Sequence, residues 1–134
     1  MIDEKDETMP VRNAEDIVRV RREVRTHAVG AGFSLVDQTK IVTAASEIAR
    51  NTVDYGGGGT LHLSTVRLGA RRGVRLIFSD QGPGIADLKL ALTDGYTTGS
   101  GLGLGLSGAK RLSSEFDVKS TPGEGTVVTI VRWK

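Results

Sequence analysis

Glycine, and where it falls, constrains this chain more than any other feature. There are 18 glycines in 134 residues, against roughly 9 expected at about 7% usage. They cluster at Gly56–Gly59, at Gly82 and Gly84, and at Gly99, Gly101, Gly103, Gly105 and Gly108. A regular element cannot run through such clusters without losing packing side chains and gaining a backbone-entropy penalty. Each cluster therefore marks a place where the chain turns sharply or comes close to something, and the helices and strands must lie between them.

Between the clusters the hydrophobic period changes. Asn13 can cap a helix over about 14–29, where Ile17, Val20, Val24 and Ala28 recur at helical spacing and Arg19, Arg21, Arg22 and Arg25 occupy the other face. Ser34, with Asp37 three residues on, resembles a cap for a longer helix over about 35–54, whose apolar stripe is Ile41, Ala44, Ala45 and Ile48. From Leu61 the pattern alternates as in a strand reaching about Leu68, a turn follows at 69–73, and Val74–Phe78 leads to Asp80 as the second arm of a hairpin. Residues 86–93 fit a short helix and residues 104–115 another, and Phe116–Ser120 and Thr126–Trp133 read as strands joined by Pro122-Gly123-Glu124-Gly125. Residues 1–9 carry Asp3, Glu4, Asp6 and Glu7 and read as a mobile acidic leader. The expected order, α-α-β-β-(α)-α-β-β, favours an α+β two-layer sandwich over a doubly wound parallel sheet.

Composition removes several classes of function. With no cysteine, thiolate catalysis and Cys-based metal sites are excluded, and the two histidines, His27 and His62, fall in different elements. A net charge of +2 is too small to indicate a nucleic-acid binder. No apolar run approaches the roughly 18 residues of a membrane span and no signal-peptide pattern opens the chain, so a cytoplasmic protein without membrane partners is expected. Aromatic residues are only 4%, so the core must rest on Val, Leu, Ile and Ala.

Three motifs carry chemistry. Glu47 and Asn51 stand one helical turn apart on one face, where a carboxylate could take a proton and an amide oxygen could ligate Mg²⁺, although such pairs often simply face solvent. Asp80-Gln-Gly-Pro-Gly-Ile85 ends an apolar strand in an acid and then turns through Gly82 and Gly84, which suits either an ordinary surface turn or the close approach of a flat ligand with an amino group. Thr97–Leu106 is a glycine loop running into a helix, and its exposed N–H groups suit phosphates. The alternation of Leu102, Leu104 and Leu106 argues against a plain linker. The overlapping Gly103-x-Gly105-x-x-Gly108 string lacks the strand and βαβ unit of a dinucleotide fingerprint, and Ala109-Lys110 stands where a P-loop requires Lys-Ser/Thr.

Taken in order, helix with Glu/Asn, strand with Asp-x-Gly-x-Gly, and glycine loop into helix, the three resemble the GHKL ATPase superfamily of gyrase, heat-shock chaperones, histidine kinases and MutL. Gly101–Leu106 and Pro122–Thr126 are similar to its glycine box and to the loop before its last strand, and the resemblance spans roughly residues 12–133. It implies a mixed, largely antiparallel sheet covered by helices on one face, with residues 1–10 as leader and 11–134 as an ATP-binding kinase domain. It implies ATP and Mg²⁺ as cofactors, with Glu47 as general base, Asn51 as Mg²⁺ ligand and Asp80 as the adenine acid. Gly82, Gly84 and Ile85 would form the adenine turn, Gly99, Gly101, Leu102, Gly103, Leu104 and Gly105 would enclose the phosphates, and Thr126 would support the adenine end.

Within the superfamily, Asp37–Asn51, Asp80–Ile85, Gly108–Leu112 and Ile130–Trp133 resemble RsbT-type serine/threonine switch kinases. That resemblance implies phosphorylation of a STAS-domain protein of a bacterial stressosome and binding of a PP2C-type phosphatase. No phosphoacceptor-His dimerisation hairpin is read, so a histidine autokinase is not expected. The alternatives are an anti-sigma factor serine kinase of the same superfamily and a non-catalytic module whose shape nucleotide sets. The glycine content of 95–105 leads to the expectation of a mobile lid without nucleotide.

Overall fold

A computed structural model describes residues 1–85 and 106–134. The expected helix at 86–93 and the expected lid at 95–105 lie outside the described residues.

The first element is a correction. Residues read as an acidic leader form strand β1, Ile2–Val11, paired antiparallel with strand β2, Gly59–Leu68, from Ile2↔Arg67 to Val11↔Gly59, with an irregularity between Asp3 and Lys5. The charges that suggested a leader are those of an edge strand, where they discourage pairing with other chains and where Pro10 needs no ladder donor. Met9 and Val11 are the anchors, 2% and 0% exposed. Asp3 pairs with Arg75 at 2.8 Å, and Glu4 with Arg72 at 3.2 Å and Arg67 at 3.7 Å, tying the strand to the neighbouring hairpin.

Helix α1, Ala14–Gly30, starts at Asn13, whose side chain accepts the Asp16 N–H at 2.9 Å. Helix α2, Leu35–Asp54, starts at Ser34, which accepts the Asp37 N–H at 3.2 Å. Both caps satisfy donors that a helix start leaves open. The expected stripe is buried, with Ile41, Ala44 and Ala45 at 0% and Ile48 at 1% exposure. Strand β3, Arg71–Asp80, completes the hairpin with β2, three residues longer at its start than the apolar run Val74–Phe78 suggested, because the ladder continues through Leu68↔Arg71.

Helix α3, Leu106–Arg111, stops short of the expected 115. Leu112 still donates back to Gly108, but the Ser114 N–H goes to Val131 O at 2.8 Å, so sheet pairing takes over from the helix. Strands β4, Glu115–Thr121, and β5, Gly125–Trp133, follow as a hairpin.

The sheet order is β1-β2-β3-β5-β4, and the pairs among the described residues are antiparallel, in line with the largely antiparallel sheet expected. Alternate residues Leu61, Leu63, Val74, Leu76, Phe78, Val128 and Ile130 join the helix residues in one core. On the opposite face Trp133 covers Val66 and Val131 in a small separate cluster. Its indole donates to Glu115 at 2.7 Å, and Arg71 lies 4.7 Å above its ring. Gly73 lacks the Cβ that would come within 2.8 Å of that ring. The architecture is thus an α+β two-layer sandwich with the helices on one face.

Candidate functional site

A pocket opens at the end of the sandwich where the C-terminus of α2, the end of β3 and the start of β5 meet. Ile48, Phe78, Ile85, Leu106 and Val128 give it an apolar floor, and Asn51, Asp80 and Thr126 bring polar groups to it. Flat apolar walls with a few fixed polar groups are the usual make-up of a site for a heteroaromatic ligand.

Each polar group is positioned by a different element. Asn51 sits in the last turn of α2, and its carbonyl accepts the N–H groups of Tyr55 and Gly56 at 2.9 and 3.2 Å as the helix ends. Asp80 ends β3 and is paired in register with Thr126 of β5, so the two side chains stand side by side on one face. Asp80 Oδ1 accepts the Gly82 N–H at 2.9 Å, which starts the turn after the strand. Glu47 lies one turn before Asn51, 38% exposed and 3.8 Å from Arg50, beside the pocket and not in its wall.

Two close approaches explain the glycines here. A Cβ on Gly56 would come within 2.5 Å of Asp80 Cγ, and one on Gly82 within 2.7 Å of Gly56 Cα. The segment leaving α2 therefore packs directly on the Asp80 turn. Gly84 has φ +76°, a conformation suited to glycine, and a side chain there would run into the Thr121 carbonyl. The β4–β5 hairpin holds the same turn, with Gly123 N–H donating to Pro83 O and Ile85 N–H donating to Ser120 Oγ, both at 2.7 Å.

The structure thus brings Asn51, Asp80, Gly84, Ile85 and Thr126 to one pocket, with Gly82 behind Asp80 and Glu47 at the rim. Gly99, Gly101, Leu102, Gly103, Leu104 and Gly105 lie outside the described residues. Gly56, Tyr55, Thr52 and Ile48 were missed as site residues. Ile48 and Tyr55 flank Asn51 at three and four residues, so helical spacing contained the signal. Gly56 belongs to a glycine cluster that in sequence marks only a turn or a close approach without naming the partner, and nothing local marks Ser120.

The donor set suits ATP and Mg²⁺, the groups that the resemblance in sequence implies. The apolar floor of Ile48, Phe78, Ile85, Leu106 and Val128 beside Asp80 and Thr126 suits a flat base with a polar edge. Mg²⁺ ordinarily takes one or two protein oxygens and completes its shell with phosphates and water, which Asn51 can serve without a carboxylate cage.

The family model for the histidine kinase-, DNA gyrase B-, and HSP90-like ATPase matches residues 36–134. Serine/threonine-protein kinase RsbT of Bacillus subtilis (strain 168) is 44% identical over 118 residues, 88% of this chain and 89% of the relative. Anti-sigma F factor of Thermoanaerobacter sp. (strain X514) is 29% identical over 99 residues, 69% of this chain and 68% of its own. The solved structure of the mycobacterial sensor histidine kinase MprB superposes with a TM-score of 0.56 at 19% identity, covering 96% of this chain and 97% of that one, a likeness of fold. The family match covers both α2 with Asn51 and the strands that carry Asp80 and Thr126, so the chain belongs to the histidine kinase-, DNA gyrase B- and HSP90-like ATPase family, in its RsbT-type serine/threonine-kinase branch.

Proposed function

We propose that this chain is an ATP-dependent serine/threonine kinase of a bacterial partner-switching module, phosphorylating a STAS-domain protein and binding a PP2C-type phosphatase in the cytoplasm. The observation that carries the reading is the convergence of Asn51, Asp80 and Thr126 on one apolar-floored pocket, with Glu47 one helical turn from Asn51.

Bound ATP supplies the phosphoryl group. Asp80 and Thr126 take the base end, where an amino edge meets their oxygens. Asn51 would hold Mg²⁺, which would offset charge on the phosphates, and by the family resemblance Gly99, Gly101, Leu102, Gly103, Leu104 and Gly105 would enclose those phosphates. Glu47, at the pocket rim and partly exposed, accepts the proton of the incoming Ser or Thr hydroxyl. An acceptor hydroxyl on a folded protein reaches a rim carboxylate more readily than one deep in the wall. The similarity to RsbT supports a switch kinase. The similarity to Anti-sigma F factor supports a second reading, in which the same site serves a chain that also binds a sigma factor.

The test is phosphotransfer from γ-labelled ATP with Mg²⁺ to a STAS-domain protein encoded near this chain, followed by binding assays with the sigma factors. Label on Ser or Thr is expected, falling by at least about 100-fold in Glu47→Ala while nucleotide still binds. Absence of label with nucleotide binding intact would favour a nucleotide-gated interaction module, and sigma-factor binding would favour the anti-sigma reading.

A further inference from the structure

Ser120, on edge strand β4, belongs to none of the three motifs, yet its hydroxyl reaches groups on two segments of the base end. Ile85 N–H lies 2.7 Å from Ser120 Oγ, Thr126 Oγ1 2.9 Å and Gly125 O 3.2 Å. A hydroxyl has one proton and two lone pairs. Ile85 N–H can only donate and the Gly125 carbonyl can only accept, so these two contacts use one lone pair and the single proton of Ser120. The third contact is then a hydrogen bond only if Thr126 O–H donates to the remaining lone pair. Just one proton arrangement satisfies all three.

That arrangement sets the polarity of the pocket. The Thr126 proton is committed to Ser120, so its oxygen offers lone pairs to a ligand. Asp80, its register partner in the sheet, also offers only acceptor oxygens. The nearby backbone donors Gly82, Ile85 and Gly123 are spent on Asp80, Ser120 and Pro83. Asp80 and Thr126 therefore present two adjacent acceptors.

We propose that Ser120 is a specificity-determining positioning residue: by holding Thr126 as an acceptor, it makes the pocket select a base edge that carries an amino group, as adenine does, over one that carries a carbonyl there, as guanine does. This rests on the pocket being the nucleotide site. Without Ser120 the Thr126 hydroxyl can rotate and donate, and it then accommodates a carbonyl edge.

The experiment is calorimetric titration of the whole chain with Mg²⁺-ADP and Mg²⁺-GDP, for the unaltered protein, Ser120→Ala, Ser120→Thr, Thr126→Val and the Ser120→Ala/Thr126→Val double variant, with thermal melts as a folding control. The unaltered chain should prefer ADP. Ser120→Ala should cut that preference roughly tenfold, Ser120→Thr should keep it, and Ser120→Ala should add nothing to Thr126→Val. An Ser120→Ala variant that weakens both nucleotides equally, or neither, overturns the assignment. If Ser120→Ala does not fold, an unchanged preference in Thr126→Val overturns it instead. Failure of the unaltered chain to bind either nucleotide would overturn the nucleotide reading of the pocket, and the role of Ser120 with it.

Discussion

His27 sits at the seam of α1, β1 and β2, with its side chain buried. Its Nδ1 is 2.9 Å from Thr65 Oγ1, and its Nε2 is 3.8 Å from Glu7 Oε1, too far for a hydrogen bond. Burial, and then the positive charge of Lys5, hold its pKa below the usual 6.5, and the opposing pull of Glu23 does not offset them. The folded chain thus binds this proton less readily than the unfolded one, so stability rises with pH between the lowered folded value and 6.5 and is flat above it. Urea midpoints should be lower at about pH 5.5 than at about pH 7.5, and His27→Gln should shrink that difference. Asp37 acts in a separate, more acidic window. The hydrogen bond from Arg132 lowers its carboxyl below 3.8, so its contribution is present above 3.8 and is lost as pH falls from there through the lowered folded value.

At the scale of the element, β1 separates the two views of residues 2–11. A leader could be altered freely, whereas an edge strand with Met9 at 2% exposure cannot. Met9→Ala should lower unfolding stability by about 2–5 kcal/mol in urea denaturation, because it leaves a cavity over β2 beside Leu61. No change would return these residues to the status of a leader. The glycine run after α2 has a similar double nature. Gly57 and Gly58 take positive φ and turn the chain, while Gly56 and Gly59 are there because Asp80 and the Ser79 carbonyl come too close for a side chain.

Across the whole molecule, the pocket joins segments that are distant in sequence, and a ligand that bridges them should stabilise the fold. ADP with Mg²⁺ at about 100 times its dissociation constant adds about 2.7 kcal/mol, on the order of 10 °C in melting temperature for a domain of this size. Glu47→Ala should keep that shift while losing phosphotransfer. A melting temperature that does not respond to ADP would argue against the pocket as the nucleotide site.

Helices α1 and α2 and the two hairpins were legible in the sequence because their causes are local, whereas Thr126 was named only through the family resemblance. Caps act within three residues, as at Asn13 and Ser34, and amphipathic period and turn glycines act within a few more. What only the tertiary structure decided rests on contacts between remote segments. β1 becomes a strand because β2, about 60 residues later, offers it an edge. Gly56 serves the site because Asp80 packs on it, and Ser120 does so because Ile85 lies 35 residues back. No local pattern records such pairings, since their free energy appears only when the chain has brought both partners together.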